Sequence, residues 1–231
     1  RKAAQGHGSP GSLILEGVQA WRDWNRSSNT HFGSLVLMIP ISLATSSASG
    51  PERLEEELAR VLEETTVQDA VDFYRAFELA GARVAEVEEF SLLAKDSENA
   101  ICLSEKTLLE LMQLSMGHDI VAREWATNYR RSFLLAERLV EQTGKFGLNA
   151  GIVRTFLAAL AEVPDSLISA KFGPEKAQQV SRQAAEALAD TTLEKARRMD
   201  CDLLEEDINP GSTADLIAAS LFISLLRDLR F

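Results

Sequence analysis

The 231 residues include 24 Lys and Arg against 35 Asp and Glu, a formal net charge of −11 that argues against a general nucleic-acid binder or membrane-surface binder. Two cysteines are too few for a disulfide framework or a cysteine-based zinc site, and this composition fits a reducing cytoplasm. No secretory signal peptide is visible, and no charge-free apolar run reaches the roughly 18 residues needed to cross a bilayer.

Apolar residues recur at helical spacing along most of the chain, whereas the alternation typical of strands is scarce. We therefore expect an all-α fold, a single domain over residues 1–231 with about ten helices that cross at large angles. Thr66 is expected to cap a helix, Gly81 to end it and Pro174 to open a later one. Helices are predicted at about 13–24, 31–48, 52–64, 66–80, 103–115, 119–142, 149–163, 165–170, 174–190, 191–202 and 212–227, and residues 1–11 and 82–103 are predicted to be mostly loop.

The last predicted helix begins at a turn that favours anion binding. Asn209 and Ser212 are both good N-cap residues, and Pro210 suits the first turn. Asp215 follows Ser212 by three residues, which predicts a capping box with Asp in place of the usual Glu. Gly211 and Ser212 would present free N–H groups at the N-terminus of a buried helix, where phosphate is the usual anion. An ordinary, well-capped helix is the alternative interpretation.

The second predicted helix repeats this design near the front of the chain. Asn29 and Thr30 are polar capping residues, and the small residues Gly33 and Ser34 follow them before an almost wholly apolar stretch. The pattern predicts a second helix N-terminus that a phosphate group could approach closely.

These two stretches resemble paired motifs of the triphosphoribosyl-dephospho-CoA synthase family, namely Asn29-Thr-His-Phe-Gly33 and Asn209-Pro-Gly-Ser-Thr-Ala-Asp-Leu216. Pro164-Asp-Ser-Leu-Ile-Ser-Ala-Lys-Phe-Gly173 is similar to a third family segment. Asp96-Ser-Glu-Asn99 and Met116-Gly-His-Asp119 resemble the divergent, archaeal-type branch. Family members usually carry a Lys-Pro-Gly segment upstream of the first motif, so we expect that an N-terminal part of the family domain is missing from this chain.

The resemblance implies a transferase that joins the triphosphoribosyl group of ATP to dephospho-CoA and releases adenine. A triphosphate needs N–H donors and cations, and Mg²⁺ is expected with the nucleotide. The reaction also needs a carboxylate beside an oxocarbenium-like centre, a base for the attacking hydroxyl and a proton donor for adenine. The expected partners are nucleotide and CoA-type small molecules, with no nucleic acid or membrane, and a homodimer is allowed for.

The matching segments supply candidates for each role. Asp165, Asp215 and His31 are the predicted catalytic residues, His31 because imidazole can donate a proton near neutral pH. Asp119 and Asp96 are the predicted metal ligands. Substrate contacts are predicted for Asn29, Thr30, Gly33, Lys171, Asn209, Gly211 and Ser212.

Each candidate also has a purely structural interpretation. Asp165 after Pro164 could be a plain N-cap, and Asp215 could serve only the capping box. His31 could be structural, Lys171 a solvated lysine, and Asp119 part of a surface ion pair. For the whole chain, the alternatives are a related nucleotide- or phosphoribosyl-using enzyme of another cofactor pathway and a non-catalytic helical nucleotide-binding protein.

Overall fold

The computed structural model of the chain describes residues 1–24, 31–81, 105–227 and 229. These residues form twelve α-helices and two short 3-10 helices, Ala3–Gln5 and Pro51–Arg53, without a strand, so the all-α prediction is confirmed. The helices are α1 (Pro10–Trp24), α2 (Phe32–Ser47), α3 (Leu54–Glu63), α4 (Val67–Ala80), α5 (Leu108–Ser115), α6 (Ile120–Ala126), α7 (Arg130–Phe146), α8 (Leu148–Glu162), α9 (Ser166–Phe172), α10 (Pro174–Leu188), α11 (Glu194–Glu205) and α12 (Gly211–Leu226). Asn29, Thr30, Asp96 and the predicted loop 82–103 lie outside the described residues.

The chain divides into two compact units, each with its own helix packing. Unit 1 comprises Arg1–Gly117 and Val121–Tyr129, and unit 2 comprises His118–Ile120 and Arg130–Phe231. The expectation of a single domain over residues 1–231 stays a prediction.

In unit 1, α1 crosses α4 at a backbone contact that only glycine permits. A Cβ atom on Gly11 would lie 2.3 Å from the carbonyl oxygen of Asp69, far inside van der Waals contact. The absence of a side chain lets the Gly11 N–H donate to Asp69 Oδ1 at 2.9 Å. Asp69 also forms a capping box with Thr66, which confirms the predicted cap of α4.

Unit 2 is built around a core to which α8, α9, α10 and α11 contribute. Its buried members are Leu157, Leu160, Ile168, Ala177, Val180, Ala184, Ala187, Met199, Leu203 and Ile208. Small alanines at helical spacing let α10 approach its neighbours closely, and α12 packs against α7 and α8. Gly151 allows a similarly close approach of α8 to α7, because its Cβ would lie 2.5 Å from the Thr143 nitrogen.

The helix predicted for residues 119–142 is instead two helices, α6 and α7, interrupted at Asn128 and Tyr129. Both residues have positive φ, 52° and 57°, a conformation that costs free energy in any residue with a side chain. Burial offsets this cost, since Tyr129 is fully buried and its hydroxyl donates to the Leu37 carbonyl at 3.1 Å. The helical periodicity of this segment is therefore overridden by tertiary packing.

Candidate functional site

Asp165 is fully buried, and its carboxylate accepts four hydrogen bonds from two helix N-termini. Oδ1 accepts from the backbone N–H groups of Leu167 and Ile168 at 2.9 and 3.1 Å, which makes Asp165 the N-cap of α9. Oδ2 accepts from both the backbone N–H and the hydroxyl of Thr213 at 2.7 Å. One carboxylate thus caps its own helix and, from 48 residues away, the start of α12.

Two opposing effects act on the proton affinity of this carboxyl group. Burial raises the pKa of Asp165, because it penalises the charged form. The hydroxyl and N–H of Thr213 and the N–H groups of Ile168 and Leu167 lower the pKa, although they do not cancel the effect of burial. The pKa of Asp165 is therefore raised, even though both of its carboxylate oxygens accept hydrogen bonds.

The next residue, Ser166, makes a second set of connections at the same place. Its hydroxyl donates to Ser212 Oγ at 3.1 Å and accepts from the Ile120 N–H at 3.2 Å. Two consecutive residues of one motif, Asp165 and Ser166, therefore hold two consecutive residues of another, Ser212 and Thr213.

The predicted capping box between Ser212 and Asp215 is wrong. The N-cap of α12 is Pro210, with φ −75° and ψ 59°, and no side chain caps this helix from the N-cap position. The Gly211 N–H donates to the Asn209 carbonyl at 2.8 Å, which closes an inverse γ-turn around Pro210. The sequence pattern assigns the cap of α12 to Ser212, but Asp165, which lies outside this helix, supplies it.

This arrangement reduces the number of N–H donors available at the predicted phosphate site of Gly211 and Ser212. The anion at the α12 N-terminus is the carboxylate of Asp165, and the N–H groups of Gly211 and Thr213 have acceptors in the described part of the chain. Among the described residues, the N–H of Ser212 is the donor in this turn that remains for an external anion. Asn209, the first residue of the motif, is exposed beside it.

Two half-buried carboxylates belong to the same region of unit 2. Asp215 lies three residues beyond Ser212 and so on the same face of α12. Asp119 directly precedes Ile120, whose N–H bonds to Ser166. Both carboxylates also interact with other groups of the protein. We call Asp119, Ser166, Ser212 and Asp215 the α12 turn cluster.

Lys171, near the C-terminus of α9, forms an ion pair with Asp207. Its ammonium donates to Asp207 Oδ2 at 2.7 Å and to the Asp207 carbonyl at 3.2 Å, and it lies 4.9 Å from the centre of the Phe172 ring. The hydrogen bond and charge of Lys171 lower the pKa of Asp207. A phosphate would have to compete with Asp207 for this lysine, so substrate contact by Lys171 stays a prediction.

The front motif belongs to unit 1. α2 begins at Phe32, and its N-cap is His31 rather than Asn29 or Thr30. The imidazole of His31 is exposed and makes no capping hydrogen bond, while Gly33 lies half-buried in the first turn. The roles predicted for His31 and Gly33 stay predictions.

Within the described residues, no group of three or more His, Cys, Asp or Glu side chains could hold a metal ion. Mg²⁺ bound with a nucleotide often takes only one or two protein carboxylates, the phosphates and waters supplying the rest. Asp119 and Asp215 are the carboxylates of the α12 turn cluster. They suit binding of Mg²⁺ together with a nucleotide better than binding of Mg²⁺ by protein ligands alone.

Sequence reasoning missed a groove in unit 2 with a volume of about 1030 Å³. It is lined by α8, α11 and the segment from Asp207 to Ile217, and its apolar wall includes Val153, Phe156, Leu203 and Leu204. One signal was available: Ala196, Met199 and Leu203 follow the buried stripe of α11, and Leu204 is an additional large apolar residue beside it. We call this feature the α8–α11 groove.

Comparisons with known proteins agree on one family. The family model for ATP:dephospho-CoA triphosphoribosyl transferase (CitG) matches residues 1–230. A crystal structure from Archaeoglobus fulgidus, designated "putative triphosphoribosyl-dephospho-coA synthase", superposes with a TM-score of 0.79 at 26% identity, covering 95% of this chain and 90% of that chain. No curated protein matches this sequence. Across the described residues, every helix is too short or too polar to traverse a bilayer.

Proposed function

We propose that this chain, which belongs to the ATP:dephospho-CoA triphosphoribosyl transferase family, joins the triphosphoribosyl group of ATP to dephospho-CoA. The chain is accordingly a transferase. In this reaction the bond between adenine and the anomeric carbon of the ATP ribose breaks, and a ribose hydroxyl of dephospho-CoA forms the new bond to that carbon. The hydroxyl loses its proton and the departing adenine gains one, so the reaction needs a base and an acid.

The convergence of motif segments at the first turn of α12 carries this proposal. Asp165 and Ser166 from one segment hold Ser212 and Thr213 from another, and the Ser166 hydroxyl also binds the backbone that follows Asp119. A site for a charged substrate needs several polar groups in one place, and three polar segments meet at this helix turn. Packing of an apolar core does not need such a meeting.

Different roles follow for the carboxylates of this region. Asp215 and Asp119 are half-buried, so we assign to them the contacts with the nucleotide, its metal or the attacking hydroxyl. Asp165 is fully buried and bonded on both oxygens, which favours a positioning role over the catalytic role predicted for it. It fixes Thr213 and so the orientation of the whole turn.

Magnesium belongs to the proposal as a companion of ATP. It would neutralise phosphate charge when bound, with Asp119 or Asp215 as its protein ligand, whereas Asp96 lies outside the described residues. His31 stays a predicted catalytic residue, and Asn29, Thr30 and Gly33 stay predicted substrate contacts. A cytoplasmic location and a homodimer stay predictions as well.

Adenine release from ATP with Mg²⁺, measured by chromatography with and without dephospho-CoA, tests the function. We expect adenine only when dephospho-CoA is present. Adenine release with a different acceptor would identify another cofactor pathway. Nucleotide binding by calorimetry without adenine release with any acceptor would identify a non-catalytic helical nucleotide-binding protein.

Substitution of Asp215 tests the site. Asp215→Asn is expected to lower kcat at least about 100-fold while helical content and unfolding temperature stay close to wild type, because the charge that contacts the nucleotide, its metal or the attacking hydroxyl is lost. Asp202→Asn, on the exposed face of α11, is the matched control and should keep full activity. Full activity of Asp215→Asn would refute the assignment of this turn as the site.

A further inference from the structure

The α8–α11 groove has the size and chemistry of a ligand site rather than of a packing defect. Its volume of about 1030 Å³ lies at the upper end of small-molecule sites. Apolar side chains dominate its wall, with two amide side chains, Asn149 and Asn209, among its polar groups.

Apolar groups in this groove are exposed where a folded chain would normally cover them. Leu204 is 71% exposed, the most exposed of the large apolar side chains in the described residues, and Val153 is 37% exposed. They come from different helices, α11 and α8, yet line the same groove. A bound group that contacted both would remove this apolar surface from water and would be stabilised by doing so.

The charges of the groove are unsuited to a polyphosphate. Its wall contains one guanidinium, that of Arg197, against the two carboxylates of Asp200 and Asp207. Arg197 is already paired with Glu194, and Asp207 with Lys171. A triphosphate or diphosphate would meet a wall of slightly negative charge, which disfavours a polyphosphate in this groove.

The groove borders the turn that opens α12. Asn209, Pro210 and Ala214 line it. Asn209 and Pro210 precede Ser212 in the chain, and Ala214 directly precedes Asp215. A substrate whose reacting end lay at the turn could therefore extend along α8 and α11 with its other end.

We infer that the α8–α11 groove is the subsite for the pantetheine arm of dephospho-CoA, an inference that rests on the proposed function. This arm is uncharged and largely aliphatic, with a geminal dimethyl group and two amides. The apolar walls suit its methyl and methylene groups, and Asn149 and Asn209 can pair with its amides. ATP has no aliphatic arm of this kind, so the groove distinguishes the acceptor from the donor substrate.

A neutral substitution at the exposed wall tests the inference. Leu204→Gln keeps a good helix former of similar size but removes the apolar surface. We expect it to raise the Kd and KM for dephospho-CoA about tenfold while leaving the KM for ATP unchanged, since burial of much of a leucine side chain is lost. Pantetheine should compete with dephospho-CoA in wild type and bind correspondingly more weakly to the variant. Val153→Gln should act in the same direction.

Leu134→Gln is the matched control, because Leu134 is 57% exposed on α7 and does not line the groove. Wild-type dephospho-CoA affinity in Leu204→Gln, with the wild-type enzyme active, would overturn the inference and leave the proposed function standing. A higher KM for ATP alone would assign the groove to the nucleotide and would also overturn it. If wild type neither binds dephospho-CoA nor releases adenine with it, the proposed function itself fails and this inference with it.

Discussion

Asp165 and Asp69 are buried carboxylates that each connect two helix N-termini. Asp165 joins α9 to α12 in unit 2, and Asp69 joins α4 to α1 in unit 1 through Thr66 and Gly11. A buried charge is costly in isolation, but helix N-termini offer oriented N–H groups and a favourable dipole. These two residues fix the positions of helix starts.

Replacing Asp165 by Asn should destabilise the protein by about 3 kcal/mol, because the amide NH₂ would face N–H groups that now donate to a carboxylate oxygen. Urea unfolding followed by circular dichroism measures the change. Thr213→Val, which removes one donor, should cost about 1 kcal/mol, and Thr213→Ser, which keeps the hydroxyl, should cost less. Wild-type stability of Asp165→Asn would show that the four hydrogen bonds contribute nothing.

At the scale of whole helices, side chains close in sequence set the starts of α11 and α5. Asp190 accepts hydrogen bonds from the N–H groups of Thr192 and Lys195 and so organises the turn that opens α11. These bonds lower the pKa of Asp190 from 3.8 to about 2. The Thr107–Glu110 capping box opens α5 in the same way, four residues after the predicted start at Leu103.

The lowered pKa of Asp190 predicts a defined acid dependence. A carboxyl with a depressed pKa in the folded state stabilises the fold above its unfolded pKa and loses that contribution as the pH falls through its folded pKa. The stability advantage of wild type over Asp190→Asn should therefore be complete above pH 3.8 and disappear as the pH falls to about 2. Denaturant unfolding of both proteins from pH 5 to 2 measures it, and a constant difference over this range would contradict the prediction.

Replacement by alanine should have opposite effects on stability at Gly11, where α1 crosses α4, and at Gly144 in α7. Gly11→Ala should destabilise by about 3 kcal/mol, since its methyl group would overlap backbone atoms of Asp69 that cannot move aside. Gly144→Ala is the control within α7, where a Cβ meets nothing within 4 Å, and it should stabilise by about 0.5 kcal/mol. Chemical denaturation compares them, and equal stability of both variants would show that the crossing is free to adjust.

At the scale of the whole molecule, the two compact units raise the question of cooperativity. All three tryptophans, Trp21, Trp24 and Trp125, belong to unit 1, so tryptophan fluorescence reports on that unit. Circular dichroism reports on helices of both units, which allows the unfolding of each to be followed separately.

The single-domain interpretation predicts that unit 1 responds to a change made in unit 2. Asp165→Asn should shift the fluorescence transition of unit 1 to lower urea by as much as it shifts the circular dichroism transition, because one cooperative domain unfolds as a whole. An unchanged fluorescence transition, with a two-step dichroism curve, would show instead that the units unfold independently.

The sequence by itself determined the helical class, because hydrophobic periodicity operates within a few residues and is strong along most of the chain. For the same reason it located Thr66 as a cap, Gly81 as a helix end and Pro174 as a helix start. The resemblance carried by the motif segments also identified the family before any contact was known.

Only the tertiary structure decided how those motifs work. It replaced the local capping box at Ser212 by a cap from Asp165, since a buried carboxylate can satisfy donors 48 residues away that no local pattern reveals. It broke the helix at Asn128 and Tyr129, where burial outweighs backbone preference. It also created the α8–α11 groove from side chains far apart in the chain, whose exposure depends on where three-dimensional packing stops.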